Sequence, residues 1–477
     1  MKILLINPLT HPCILQIVNI EPLGLEYLAA MLLPEHEVEI IDRLSAGATY
    51  DGIINVINNF QPQVIGISVA YSTDIKPIKE MTDLIKKFFP DILIVLGGNA
   101  ATFTAGYLIK HPSVDIIVLR EGEITFKELI EKWEVESMKY EVGSGKWEVG
   151  SGKWEVESMK YEVGSEKWEV GSGKWDLLTN IPGLCYKTSD KEIKFTSKPP
   201  LIENLDELPL PAHYLLKNRK HYTPSVLSGR GCAYSCLYCS TSAFFQKPRK
   251  RSVESIIKEV ELLIEDELLN TYASSRIEFT DDNFAMDGNR VENLCDELIK
   301  LNEKVNLKEK LSWSCVAHIE NLNEKLLNKM KAAGCSIIGF GVESGSPKVL
   351  KRLNRKYKPS DVIRVTKLCN ELKILPVTLF MVGLPGEAKE DLEQTFSLIE
   401  QIPGSSSFNI FTPFPGTPVF DNPQKYGITI LPHSPEEDNM TQYSWIDNGH
   451  LNREEIMEAY YKGLGVCIHK AKKFSYL

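Results

Sequence analysis

The sequence predicts an α/β protein in which a doubly wound parallel sheet is followed by an incomplete parallel barrel of six strand–helix units. Three observations carry this prediction. Short β-rich runs alternate with amphipathic stretches over residues 1–132, and the same alternation returns over 222–420. A tandem repeat and a proline-rich segment separate the two regions. The length of 477 residues also exceeds what one core serves, so two or three domains of roughly 100–200 residues are expected.

In the first region the strands are KILLIN (2–7), EVEIID (37–42), QVIGISV (63–69), ILIVLG (92–97) and VDIIVL (114–119). Runs this apolar mark strands covered on both faces. Between them GLEYLAAML, YDGIINVINNF and IKEMTDLIKKFF carry apolar residues at three- and four-residue spacing, as helices packed on a sheet do. Ligands of such a sheet lie at the carboxyl ends of its strands.

Residues 133–175 read as a duplicated insert of seven-residue units led by Trp or Tyr. Gly-Ser-Gly interrupts most units, and each helical glycine costs about 1 kcal/mol, which disfavours a continuous coiled coil. Two readings stand: an aromatic-ribbed hairpin or small solenoid for a partner, or a loosely ordered insertion without chemistry. Residues 176–221 read as a hairpin and a proline-rich linker that ends the first domain.

From 222 the pattern resumes as TPSVLSG, SRIEFTDD, LSWSCVAH, SIIGFGVE, PVTLFMVG and SFNIFTPF, each but the last followed by a helical stretch. A parallel barrel built this way carries its site at the strand carboxyl ends. Residues 421–477 form a carboxyl-terminal extension.

Lys+Arg 54 against Asp+Glu 64 gives a net charge of −10, which supplies no global field for a phosphate backbone. Nucleic acid is not expected as the main partner, a local patch from Lys247 to Arg251 notwithstanding. The first residues lack the pattern of a signal peptide, and no apolar run has bilayer length, so neither export nor stable membrane insertion is expected. Most of the ten cysteines are scattered, which fits a reducing compartment, and a cytoplasmic location is expected.

Three cysteines are not scattered. Cys232, Cys236 and Cys239 share one short loop after the first strand of the second region. A structural zinc site or a fully ligated electron-transfer cluster would want a fourth ligand, and neither Cys185 nor His221 stands at a fitting spacing. Three thiolates instead leave one iron of a cluster open to bind a small molecule. Chance adjacency of three buried cysteines is the bland alternative.

Cys232-x-x-x-Cys236-x-Tyr238-Cys239 resembles the radical S-adenosylmethionine (SAM) superfamily, and further segments across 222–420 agree with it. The resemblance implies a [4Fe–4S] cluster on the three cysteines and SAM beside Tyr238. Asp281, Asp282 and Asn283 then stand where the family contacts the methionine part of SAM. Glu343 and Ser344 stand at its ribose or amino group, and Gly383 and Leu384 where backbone meets adenine. Pro413 to Thr417 follows the sixth strand. Individually, strand-end acids are more often helix caps, and such glycines serve turns. The remaining cysteines of the barrel read as core. His318 ends the third barrel strand, where it could face substrate.

The first region resembles the Rossmann-like cobalamin-binding domain that precedes many radical SAM barrels. Matching positions are Leu23, Gly24, Ser68, Tyr71, Ser72, Gly97, Gly98, Asn99, Glu121, Gly122 and Glu123. No DxHxxG is present, so the resemblance implies base-off cobalamin without a histidine ligand. Asn99 stands where relatives often have histidine, and a Rossmann-like domain that has lost its cofactor, or binds a different nucleotide, is the alternative. The family relation implies reductive cleavage of SAM to a 5′-deoxyadenosyl radical, with cobalamin-dependent methylation of an unactivated carbon as the expected outcome. An oxidative cyclase of the anaerobic magnesium-protoporphyrin ester type, or a non-catalytic iron–sulfur or cobalamin sensor, are the other readings. The implied partners are a small-molecule or natural-product substrate and an external electron donor such as flavodoxin or ferredoxin.

Overall fold

The computed structural model describes residues 1–8, 19–42, 49–144, 177–188, 190–265, 268–274, 276–304, 310–438 and 442–473. The expected strands of the first region form β1 (Lys2–Ile6), β2 (Glu37–Ile41), β3 (Val64–Ser68), β4 (Leu93–Gly97) and β5 (Ile116–Val118). They pair in parallel in the order β2-β1-β3-β4-β5. Chain order reverses beside β1, the switch that opens a crevice at the carboxyl ends.

The helices follow the apolar spacing: α1 (Leu23–Leu32), α2 (Tyr50–Phe60), α3 (Ile75–Phe88), the short α4 (Asn99–Phe103) and α5 (Ala105–Leu108), and α6 (Glu123–Ser144). On one face of the sheet, Ile53 and Ile57 of α2 and Ile78 and Ile85 of α3 bury against Leu4, Ile65 and Ile94. On the other, Leu25 of α1 and Leu129 of α6 bury against Ile3, Leu5 and Val95. Each such side chain contributes roughly 1.5–3 kcal/mol when fully buried. Alternation along each strand therefore feeds two cores.

Two features depart from the sequence reading. The segment after the repeat forms β6 (Leu184–Lys187) and β7 (Ile193–Phe195), which join β5 as an antiparallel extension. The hairpin is thus part of the first sheet, and that sheet has seven strands, not all parallel. An edge strand as short as β5 leaves backbone groups to be paired, and the hairpin pairs them. In addition, α6 runs through residue 133, where the insert was expected to begin. Trp133 packs on the core below α1, and Glu134 meets the amino group of Met1 at 2.9 Å. The rest of the repeat, from residue 145, lies outside the described residues.

In the second region β8 (Ser225–Val226) leads to a small antiparallel ribbon of β9 (Gly229–Arg230) and β10 (Arg249–Lys250). The barrel continues through β11 (Arg276–Phe279), β12 (Ser312–Val316), β13 (Cys335–Glu343), β14 (Leu375–Val382) and β15 (Ser405–Ile410). All six barrel strands are parallel, in the order β8-β11-β12-β13-β14-β15. Phe279, Trp313, Phe340, Phe380 and Phe408 bury outward against the surrounding helices. By the two-residue period, Glu278, Ser314, Gly339, Leu379 and Asn409 face the lumen.

Helix Arg453–Lys473 packs along β15 and closes that edge of the open barrel. The segment Pro435–Glu437 reaches back to the first domain, where Glu436 pairs with Lys79 at 3.3 Å. The extension therefore touches both domains. Among the described residues, no helix is long and apolar enough to cross a membrane.

Candidate functional site

The three cysteines lie on the loop between β9 and β10. Gly231 begins it at φ +80°, and a Cβ there would sit 2.9 Å from the Lys247 carbonyl, so glycine is required for the loop to close on itself. Within the loop the Cys239 N–H donates to the Cys236 carbonyl at 3.2 Å. Burial pushes the Cys232 and Cys236 thiols up, and the charges of the neighbouring cysteines add to the shift. Thiols raised by burial and by one another give up their protons when a metal takes the sulfurs. The donor set fits an iron–sulfur cluster held by three ligands.

Just past β11, Asp282 braces this loop and Asp281 braces Ser228, the residue before β9. The Asp281 carboxylate accepts from Ser228 N and Oγ at 3.2 and 2.9 Å, and burial pushes it up to about 6. Asp282 accepts from Gly231 N at 3.1 Å and Thr241 Oγ1 at 2.9 Å. Asn283 accepts from His318 N and donates to Asn321 Oδ1, both at 3.1 Å. These protein contacts shape the site and leave each carboxylate further lone pairs and Asn283 a second N–H.

The polar centre beside the cysteines is built from Glu343, Tyr238 and Arg355. Glu343 ends β13 at φ +65°, beyond a register shift against β14. A side chain other than glycine in that conformation is strained, and such strain is kept where a group must be aimed. Tyr238 donates its hydroxyl to Glu343 Oε1 at 2.8 Å. Arg355 Nη2 lies 2.7 Å from the same oxygen and donates to the Tyr238 hydroxyl as well. Its Nε is buried without a hydrogen-bond partner among the described residues. A guanidinium with a bare donor at this position suits a carboxylate-bearing ligand.

Sequence reasoning did not find Arg355. The signal was Asn354, which takes the left-handed conformation at φ +64° just after helix Pro347–Arg352 and turns the chain back toward Glu343. The other predicted SAM positions also make internal contacts. Ser344 Oγ meets Thr395 Oγ1 at 3.1 Å, the amides of Gly383 and Leu384 both donate to Glu387, and the Leu384 carbonyl accepts from Asn448. His318 stacks on Tyr234 with ring centroids 4.0 Å apart, and neither ring nitrogen has a hydrogen-bond partner among the described residues. Burial, reinforced by Arg355, pushes its pKa down to about 3, so it is a neutral ring.

A cleft of about 490 Å³ opens at the carboxyl ends of the first sheet. Leu23, Gly24, Ser68, Tyr71, Gly97, Gly98, Glu121, Gly122 and Glu123 line it, whereas Ser72 and Asn99 do not. Its far wall is Leu227, Arg230, Phe244, Phe245 and Thr280 of the second domain. Gly98 has φ +104°, and a Cβ there would lie 2.9 Å from the Val69 carbonyl. A glycine-walled, largely apolar cleft at a switch point fits a corrin face.

Glu121 and Glu123 line this cleft but are already ion-paired. Arg230 Nη1 is 2.7 Å from Glu121 Oε1, its Nη2 pairs with Glu123, and Arg249 Nη1 is 2.7 Å from Glu121 Oε2. The four side chains are buried, and the pairs join the first domain to β9 and β10. Asn99 donates to Ser240 Oγ at 3.3 Å, next to Cys239.

Comparison with known proteins follows the same division. The Radical SAM superfamily model matches residues 226–399, and the B12 binding domain model matches 18–130. An uncharacterized methyltransferase of Pyrococcus horikoshii is 30% identical over 434 residues, which cover 88% of this chain and 83% of that protein. The cytidylyl-2-hydroxyethylphosphonate methyltransferase of Streptomyces wedmorensis is 26% identical over 83% of this chain and 76% of its own. The anaerobic magnesium-protoporphyrin IX monomethyl ester cyclase of Rubrivivax gelatinosus is 23% identical over 88% and 69%. Among solved structures, the radical SAM methyltransferase TsrM from Kitasatospora setae superposes with a TM-score of 0.66 at 18% identity, over 91% of this chain and 79% of that one. With the cluster loop, the crevice at the switch point and these relatives together, the chain belongs to the radical SAM superfamily, among the enzymes that carry a B12-binding domain ahead of the radical SAM domain.

Proposed function

We propose that this enzyme transfers a methyl group to an unactivated carbon of a small-molecule substrate, with a [4Fe–4S] cluster on Cys232, Cys236 and Cys239, SAM beside Glu343 and cobalamin in the crevice. The carrying observation is that one segment serves both pockets: Phe244 and Phe245, five and six residues past Cys239, form the far wall of the B12 crevice. When bound, the three cofactors supply reductive SAM cleavage and a methyl carrier.

The protein's own part is positioning. Tyr238 and Arg355 hold the Glu343 carboxylate on one side of the cluster loop, Asp282 holds the loop itself, and Asp281 holds Ser228 just before β9. Arg355 Nε is the donor left for the SAM carboxylate. Glu343 is the acceptor available for its ammonium or ribose hydroxyls. The lumen side of β11 to β15, with Ser407 Oγ and Asn409 Oδ1 buried and without hydrogen-bond partners among the described residues, is where the substrate is read. The reductant is an external flavodoxin or ferredoxin, and the protein works in the cytoplasm.

Methyltransferase names among the relatives favour this outcome, and the cyclase relatives keep oxidative ring closure as the second reading. The deciding experiment is anaerobic turnover with SAM labelled in its methyl group, with hydroxocobalamin and candidate substrates supplied. Label in product supports methyl transfer; product formation with all label left in methionine sinks it and supports the cyclase reading. A Cys236→Ala control that still releases 5′-deoxyadenosine would overturn the cluster assignment.

A further inference from the structure

Away from the cysteine loop, a second set of metal-ligating side chains is fully buried where three segments meet. Glu21 precedes α1, Glu26 lies in its first turn, and His213 comes from the proline-rich segment. Their ligand atoms lie within 4.8 Å of one another. His213 Nδ1 is 3.2 Å from Glu21 Oε1 and 2.9 Å from Glu26 Oε2, yet it makes a hydrogen bond of acceptable geometry with neither. Both oxygens of Glu26 are likewise without a hydrogen bond. An imidazolium held by one carboxylate would aim its N–H along one oxygen. Here the ring edge addresses the space between two.

On its other side, His213 Nε2 lies 3.3 Å from Glu259 Oε1, and Glu259 is fixed in turn by Arg251. A carboxylate on the far nitrogen selects the tautomer that leaves Nδ1 bare, which is how metal-ligating histidines are oriented. Glu21 is oriented too, by Ser225 N at 2.5 Å and the Tyr272 hydroxyl at 2.6 Å. Charge points the same way. Against burial, the charges of Glu21 and Glu26 keep the His213 ring protonated in the empty site, so Glu21, Glu26 and Glu259 face the cations of His213 and Arg251 with one negative charge in excess and no solvent to screen it. A divalent ion that takes the place of the His213 proton cancels that excess.

We propose that Glu21, Glu26 and His213 form a binding site for one divalent ion of the class that takes nitrogen and oxygen ligands, zinc or iron(II). Glu21 and the Pro22–Leu25 stretch also line the B12 crevice. The ion therefore pins that wall of the crevice to the linker, while Glu259, Tyr272 and Ser225 anchor it to the barrel. Protons compete with the ion for the same three ligands.

The test uses the full chain with its cluster reconstituted, produced in zinc-supplemented medium and freed of loose metal by gel filtration with a chelator. Zinc and iron are counted separately, and zinc-edge X-ray absorption reads the ligand shell. The proposal expects about one zinc per chain in a shell of nitrogen and oxygen, falling to background in the near-isosteric Glu26→Gln. Circular dichroism and the cluster's own iron content in Glu26→Gln report whether the fold is kept, and His213→Gln supplies a second variant should the first unfold. Absence of zinc and of iron beyond the cluster's own overturns the proposal and leaves two protons as the neutralising charges. A sulfur shell, or zinc unchanged in a folded Glu26→Gln, overturns it equally. None of these outcomes bears on methyl transfer.

Discussion

Arg355 Nη2 stands 2.7 Å from Glu343 Oε1 across twelve residues of chain, and the carboxylate it holds is itself in a left-handed backbone conformation. The pair is buried and shares Tyr238 as a third member. A strained carboxylate, a guanidinium with a spare donor and a tyrosine from the cysteine loop make one unit.

Replacing Arg355 with Gln removes the charge that this unit needs. Truncating a buried, hydrogen-bonded charge costs about 2–5 kcal/mol, so SAM affinity is expected to fall by at least ~30-fold. Equilibrium dialysis of SAM against the reconstituted protein measures it, with the cluster absorbance unchanged as control. SAM affinity within a factor of about three of the parent would remove Arg355 from the site.

Arg230 carries most of the charge that joins the two domains. Arg230→Gln leaves Glu123 buried without its partner and Glu121 with only Arg249, and is expected to cost about 3–5 kcal/mol of stability. Urea unfolding reads this directly. A loss under about 1 kcal/mol would mean that water reaches these carboxylates once the arginine is gone.

Gly98 sits in the turn from β4 into α4, at the crevice. Ala at this position meets the Val69 carbonyl at 2.9 Å and adopts a positive φ that costs a non-glycine residue roughly 1–2 kcal/mol. Gly98→Ala is expected to lose cobalamin on gel filtration while keeping its iron. Full cobalamin retention would show that the corrin lies elsewhere.

Glu387 gives a pH signature. It accepts from the amides of Gly383 and Leu384, yet burial pushes its carboxyl up to about 8 from 4.5. The folded state therefore holds a proton that the unfolded chain releases. Its contribution is fully present below pH 4.5 and is lost as pH rises toward about 8. Unfolding midpoints taken across that window should decline more steeply for the parent than for Glu387→Gln. Parallel declines would place the carboxylate in contact with water.

Much of the architecture could be read from the chain because apolar period and strand composition are local properties. Each of the five strands of the first region and the six of the barrel lies where its β-rich run stands. The hairpin's place in the first sheet was not legible, since pairing with the edge of β5 depends on what α6 and the insert do to the path. The cysteine loop was legible because its three ligands are adjacent in sequence. Arg355 was not, because its role rests on a single left-handed Asn354 that redirects the chain. Asp281, Asp282, Glu121 and Glu123 were found as polar strand-end residues. Whether such a carboxylate faces a ligand or a neighbouring loop is decided by tertiary partners that spacing does not encode.

Arg120, at φ +62° just past β5, donates to the backbone carbonyls of Ala243 and Phe244, while Asn99 reaches Ser240. The stretch that follows Cys239 is thus tied to the carboxyl ends of the first sheet through its backbone carbonyls as well as a side chain. Two binding equilibria that share such a segment are thermodynamically linked. Whatever factor a corrin adds to the affinity for SAM, SAM must return to the corrin. Loading of one cofactor then reports on the other even before any substrate is known.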